Sequence, residues 1–433
     1  MAEDRLRMRS EVPEEFTWKL EDIFSSDDAW MEEYRSLGDI PVKAAEFQGK
    51  LGSDAKVLLD FFRLQDEIEE RLSRLFVYAN GRSDEDTANS FYQDLAGKAR
   101  GVMVAISGAA SFAGPEIMAI PDDILDGFYK DEPDLETYRR SIYLIRRMKA
   151  HMLSPESEMV LALAGEAAAS PDNIGSVLRN ADMKFPDIES ADGTARQMTE
   201  DNLPFLLEDP DVDFRRRAFK AYYSRMGEFR NTFAATLDAQ YKQLMFFQRA
   251  RRYGSTLEAA LDENEVPTEV YTNLIDAVHR NLDKMYRYVS LRKKILGLDE
   301  LHMYDVYVPI VGEAAQKVSF EEAKDTVLKA LSVLGDDYTA LLREGFDKRW
   351  VDVYPNVGKR GGAYSNGSGK PHPYVLMNYK DNLDSMFTLA HEMGHSLHSW
   401  YSTANQPPCT ADYVIFVAEV ASTCNEKIGR AHV

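Results

Sequence analysis

From Asp27 to about Leu153 the apolar positions recur at helical spacing. Val57, Phe61, Leu64, Ile68, Leu72 and Leu75 step by three and four, with acids and arginines opposite, which predicts an amphipathic helix whose stripe builds a core. Tyr138, Ile142, Ile145 and Met148 repeat the pattern. Gly101 to Pro115 is uncharged and rich in Gly, Ala and Ser; shorter than the ~20 residues of a membrane span, it reads as a tightly packed internal helix. Residues 180–212 break the rhythm with Pro186, Asp192-Gly193 and Pro210, and DIESADGTARQMT predicts a small hairpin. The helical period then resumes: Tyr222, Met226, Phe229, Phe233, Leu237, Tyr241 and Leu244 predict one long helix, interrupted at Tyr253-Gly254. Further helices are expected at 267–296 and 319–344. Tyr304 to Ile310 has strand-like composition, which Pro309 would confine to a sheet edge.

From Val351 the texture changes. VDVYPNVGKRGGAYSNGSGKPHPYVLMNY is rich in Gly, Pro, Asn and Tyr, with Tyr374 to Tyr379 as its best strand. Gly361-Gly362 would let the backbone approach a ligand closely, and Lys359-Arg360 reads either as solvated loop charge or as a partner for a carboxylate. Asp381 to Trp400 contains no proline, and Leu383, Met386, Phe387, Ala390 and Leu397 recur at three, four and seven, the mark of a buried helix. Asp381 stands at the expected N-cap and Asp384 in the first turn. The pattern gives a mainly α fold with a small β element beside this helix. A boundary near 195 separates an N-terminal helical part, 1–195, from a second part, 196–426.

The chemistry lies on that helix. His391-Glu392-Met393-Gly394-His395 puts two imidazoles four residues apart, on one helix face. Two neutral imidazoles so spaced can close on one divalent metal, and Zn²⁺ favours such nitrogen ligands. Glu392 can take a proton from a water held there. A hydrolytic zinc site needs a third protein ligand and an open fourth position. Downstream, YVIFVAEVASTCNE (413–426) is apolar and helix-compatible, and Glu419 is its first acid. A carboxylate amid Phe416, Val417 and Val420 is costly to bury unless a cation neutralises it. Glu426, seven residues on, is suited to orient a histidine from behind. His398 reads as structural, and His151, His279, His302 and His372 have no constellation around them.

FTLAHEMGHSLHSWYS (387–402) and FVAEVASTCNE (416–426), with GKRGGAYS (358–365), PYVLMNY (373–379) and EVPEEFTWKLEDIFSSDDAW (11–30), resemble the oligoendopeptidase F branch of the thimet-oligopeptidase family of zinc peptidases. The likeness spans nearly the whole chain. It implies His391, His395 and Glu419 as ligands of one Zn²⁺ per chain, and Glu392 as the catalytic base. It also implies a helical, zincin-type shell with a deep channel between helical halves that admits short peptides. Gly361, Gly362, Ala363, Tyr364, Leu376, Met377 and Asn378, in the two upstream motifs, become the expected peptide-binding positions. Members of the family run well beyond residue 426, so the C-terminal part, with its oxyanion-stabilising side chains, is expected to be missing. KIGRAHV (427–433) does not continue the apolar period and reads as a non-native tail. The stripe Val414, Phe416, Val417 and Val420 is then expected to be uncovered.

Composition narrows the partners. Among 433 residues, 51 are basic and 72 acidic, a formal charge of −21, which argues against nucleic acid or an anionic membrane as main partner. Cys409 and Cys424 give no disulfide framework. The opening MAEDRLRMRSEVPEEF lacks the apolar core of a secretory signal, so the cytoplasm is the expected address. Short peptides are the expected substrates, cut at internal bonds. The alternative is a helical peptide-binding or scaffold protein without turnover, separable from the enzyme by zinc content and chelator-sensitive cleavage.

Overall fold

The computed structural model describes residues 7–200, 203–310, 317–367 and 370–432. Its principal helices are α1 (Ala55–Glu85), α2 (Ser90–Ala109), α3 (Val212–Glu228), α4 (Arg230–Ala250), α5 (Thr268–Ile295), α6 (Phe320–Leu331), α7 (Asp336–Asp347), α8 (Leu383–Asn405) and α9 (Ile415–His432). Five short strands are β1 (Ile188–Glu189), β2 (Ala195–Arg196), β3 (Val351–Asp352), β4 (Tyr364–Asn366) and β5 (Tyr374–Leu376). The fold is mainly α. Contacts divide the chain into residues 1–149 with 315–433, and residues 150–314. This differs from the linear division expected at 195, because β5 shares a core with the N-terminal helices.

In the first unit, β5 lies between β3, parallel to it, and β4, antiparallel to it. Its side chains alternate between two cores. Tyr374 and Leu376 enter the cluster of Trp18, Leu20, Trp30, Leu75 and Tyr78. Val375 and Met377 enter that of Trp350, Leu331, Leu389 and Met393. A strand apolar on both faces appears in sequence as the unbroken run YVLM, without alternation. The regular strand ends at Leu376, shorter than the expected Tyr374 to Tyr379.

The α1 stripe behaves as expected, with Phe61, Ile68, Leu72 and Leu75 all buried. Residues 101–115 do not form a tightly packed helix. On α2 only Leu95, Ala96, Ala99 and Ile106 are buried, while Val104 stands 66% exposed. A Cβ added at Gly97, Gly101 or Gly108 would meet nothing within 4 Å, so these small residues are not there for close packing. By length and composition Ser90–Ala119 could cross a membrane, and its apolar window is 17% buried.

Helix α8 carries Met386, Leu389, Ala390, Met393 and Leu397 on its buried face, whereas Leu383 is exposed. Its cap is Asn382 rather than Asp381: the Asn382 side chain accepts from the Ser385 amide at 2.8 Å. Asp381 sits at φ 49°, outside the extended conformation that a capping side chain needs. Asp384 does fall in the first turn. Helix α9 does not break at Lys427; it continues to His432, and Ile428 packs against the cluster around Met393. Val414, Phe416, Val417 and Val420 are exposed, as the stripe predicts.

The second unit contains the expected hairpin, with Ile188 opposite Arg196. The long helix expected from Tyr222 to Leu244 is two helices, α3 and α4, because Phe229 leaves the helical region at φ −101°, ψ 7°. Tyr304 to Ile310 forms a turn, with a 3-10 helix at Met303–Asp305, instead of an edge strand. Two buried arginines hold the turn: Arg215 ion-pairs with the Asp305 carboxylate at 2.5 Å, and Arg292 donates to the carbonyls of Asp305 and Val308, which a neighbouring strand would have paired.

Candidate metal centre

The helical period carries His391 and His395 to one side of α8, and α9 crosses opposite them with Glu419 and Glu426. The approach is close at Gly394. A Cβ there would stand 2.9 Å from Ser422 Cα and 3.0 Å from the Ala421 carbonyl, so only glycine lets the helices meet without displacement. Asn425, 2% exposed, donates to the Ala390 carbonyl and accepts from the Tyr338 hydroxyl at 2.9 Å. One buried amide thereby ties α9 to both α8 and α7.

His391 Nε2 and His395 Nε2 lie 3.1 Å apart, and Glu419 Oε2 is 3.5 Å from the first and 3.7 Å from the second. Donors about 2.0–2.1 Å from a tetrahedral zinc stand about 3.4 Å from one another. The three atoms therefore fit one ion, with one coordination position left over. Among the described residues they are the group of His, Cys, Asp and Glu side chains close enough to hold a metal. The donor set, two imidazoles and a carboxylate, suits zinc. His391 Nδ1 is 2.6 Å from Glu426 Oε1, which fixes the ring and turns Nε2 inward. Ser422 Oγ donates to Glu419 Oε2 at 2.9 Å. Burial first, then the nearby His391, lowers the pKa of His395, favouring the neutral form a metal binds.

Glu392 lies on the neighbouring face, 6% exposed, with Oε2 lacking a protein partner. Burial pushes its pKa up to about 7, against the charge of His391 and a hydrogen bond from the Ser365 backbone. That bond follows from sheet geometry. The amides of Val375 and Met377 reach the carbonyls of Trp350 and Asp352 on the β3 side. Tyr374 and Leu376 therefore face β4, and alternation turns the Ser365 amide and carbonyl to the outer edge. β4 has a strand on one side only. The base is thus held at the free edge of a sheet. Ser365 Oγ also pairs with Ser396 Oγ of α8 at 2.8 Å.

Several expected peptide-binding positions serve other ends. Leu376 and Met377 are 0% and 1% exposed; a central strand buries both faces, so neither side chain can reach a peptide. Asn378 donates to the carbonyls of Arg360 and Gly362 at 3.0 and 2.8 Å, fastening the glycine loop. Gly361 and Gly362 are exposed, and Gly362, at φ 84°, makes the turn. Ala363 and Tyr364 are half-buried, and the Tyr364 hydroxyl donates to Asp84 at 2.6 Å. Lys359 is no solvated loop charge. Its side chain is fully buried, with the ammonium 2.6 Å from Asp352, and Asp352 also takes Arg9. Arg360 is the exposed one of the pair, reaching Asp84 at 3.4 Å. His398 stacks on Tyr413, and Cys424 is exposed. Sequence reasoning missed Ser365, Gly394, Ser422 and Asn425; the glycine between two ligand histidines was the available signal for a close helix crossing.

Residues 205–432 match the model of peptidase family M3, and residues 116–185 that of oligopeptidase F. The chain belongs to peptidase family M3. Among M3 relatives, oligopeptidase PepF of Bacillus subtilis (strain 168) is 45% identical over 432 residues, spanning 99% of this chain and 64% of its own length. Group B oligopeptidase PepB of Streptococcus agalactiae is 37% identical over 97% of this chain and 70% of its own. The chain thus spans about two thirds of the length of these curated relatives. A crystal structure from Chlamydophila abortus matches 99% of this chain and 72% of that one, with TM-score 0.85 and 31% identity. Oligoendopeptidase-F from Enterococcus faecium matches 94% and 67%, with TM-score 0.65 and 34% identity.

Proposed function

We propose that the chain carries the catalytic centre of a zinc-dependent oligopeptidase that hydrolyses internal bonds of short peptides. The observation that carries this reading is the convergence of His391, His395 and Glu419 beside a buried glutamate at a free sheet edge. His391, His395 and Glu419 would hold one Zn²⁺, which when bound supplies Lewis acidity to the scissile carbonyl and to water. Glu426 and Ser422 keep the ligand atoms aimed inward.

Glu392 is the base. Its buried carboxylate, displaced toward neutral pH, accepts a proton from the attacking water and returns it to the departing amine. Apart from the Ser365 amide, held by Glu392, the outer edge of β4 offers backbone pairing to an extended peptide, and residues two apart along it face the ligand. Such pairing reads backbone rather than side chains and is suited to varied short sequences. A binding protein without turnover would gain nothing from burying a carboxylate oxygen that has no partner.

The test is zinc content measured beside cleavage of internally quenched peptides. The expected result is about one zinc per chain, with cleavage that a chelator abolishes and zinc restores. Stoichiometric zinc without cleavage would favour the peptide-binding alternative.

A further inference from the structure

A cavity of about 460 Å³ opens where β4 ends. Asn366 and Gly367 at the strand end, Ser399 and Thr403 of α8, Glu69 of α1 and Tyr413 are among the residues that line it. We propose that this cavity is a side-chain pocket that selects a basic residue on the N-terminal side of the bond being cut. The proposal rests on the peptidase reading above.

Position comes first. Ser365 Oγ pairs at 2.8 Å with Ser396 Oγ, one residue past His395, so the reacting bond lies beside Ser365. Peptides pair somewhat better antiparallel than parallel, and an antiparallel partner runs opposite to β4. Its residues upstream of the cut then extend toward Asn366 and Gly367, about 3.4 Å apiece. Gly367 presses against α8: a Cβ there would lie 2.6 Å from that of Ser399. The strand edge is therefore carried toward the cavity with no side chain at Gly367. The volume, within the usual range of ligand sites, admits the longest side chains.

Charge comes second. Two cations border the cavity, and among the described residues only Lys370 has an acidic partner. Arg74 donates to the Ile23 carbonyl at 3.0 Å and lies over the Phe24 ring, while Lys370 stands 3.7 Å from Glu70. Among the described residues, Glu70 is the lining acid with a cationic partner, and no ion pair involves Glu69 or Asp412. Tyr413 and Ser399 are hydrogen-bonded to each other at 2.6 Å, and Thr403 donates to the Ser399 carbonyl. Glu69, Glu70 and Asp412 against Arg74 and Lys370 leave the lining one charge negative, a balance that favours lysine or arginine, although Asp412 also accepts from the Tyr413 amide.

The test separates the pocket from turnover. In a Glu392→Gln chain, labelled peptides carrying one arginine scanned along a glycine-serine background are titrated by fluorescence anisotropy. Arginine at one position should tighten binding by about two- to five-fold, the worth of an ion pair with the exposed Glu69. Glu69→Lys, an exposed change, should erase that gain and leave the glycine peptide unaffected. Thr403→Trp, which fills the cavity, should do the same. Cleavage of the same peptides by the parent chain shows where the cut falls and tests the peptidase reading separately. A gain that survives both substitutions, no gain at any position, or a gain downstream of the cut would overturn the proposal.

Discussion

His391 and Glu426 face each other across α8 and α9, with the imidazole Nδ1 2.6 Å from a carboxylate oxygen. The pair lies on the side of the ring away from Glu419, so one imidazole is gripped at Nδ1 and offers Nε2. A carboxylate so placed fixes the tautomer and raises the basicity of the ligand nitrogen.

Removing that grip is the first prediction. Glu426→Ala should weaken zinc binding by about 10–100-fold, while Glu426→Gln, whose amide oxygen can still accept, should lose less. Competition with a chromophoric chelator measures both. Equal affinities in parent and alanine variant would make the contact incidental.

Gly394 tests the helix crossing itself. Gly394→Ala puts a methyl 2.9 Å from Ser422 Cα, backbone that cannot step aside alone. Overpacking of this kind costs about 1–3 kcal/mol, although alanine is the better helix former in isolation. Urea unfolding should therefore give a lower midpoint, and zinc affinity should fall with it as Glu419 is pushed back. A midpoint at or above the parent value would mean that α8 and α9 do not meet this closely.

How much of this was legible in the sequence depends on whether a pattern is local. The histidine pair, its glutamate and the apolar face of α8 are set by one helical period, and all could be read directly. Glu419 and Glu426 share a helix seven residues apart, so one assignment carries the other. The role of Ser365 was not legible, because it depends on which edge of β4 is free, and that is decided by the pairing of β5 with β3. Leu376 and Met377 read in sequence as peptide contacts because their motif adjoins the metal helix; only the two cores flanking β5 show why they are apolar. The turn at Tyr304 was missed because its pattern is overridden by Arg215 and Arg292, distant in sequence from the residues they satisfy.

Glu392→Gln should keep the metal and lose the chemistry. The amide fills the same space and can accept the Ser365 hydrogen bond, but it cannot accept the water's proton. Hydrolysis should fall by about 10²–10⁴-fold, the usual contribution of a positioned base, with zinc content unchanged. Metal analysis beside a quenched-peptide assay decides it, and undiminished cleavage would remove Glu392 from the reaction.

The last prediction concerns acid. His372 is 6% exposed, stacked on Trp350, with Nδ1 2.8 Å from the Pro373 carbonyl and Nε2 3.4 Å from Asp22. Burial lowers its pKa, opposed by the Pro373 carbonyl and Asp22 and assisted by the charge of Lys348. The folded protein thus binds this proton less readily than the unfolded chain, whose histidine titrates near its ordinary ~6.5. Stability from the neutral ring is fully present above that value and is lost as pH falls toward the lower folded pKa, because the unfolded state then binds more protons. His372→Gln cannot titrate. At pH 7.5 the variant should be less stable than the parent, having lost the stack, but its deficit should shrink between pH 7 and pH 5. Urea unfolding followed by tryptophan fluorescence at several pH values measures the gap, with the window kept above the range where Asp22 protonates. A deficit that stays constant or widens as pH falls would mean that His372 is charged in the fold and held there by Asp22.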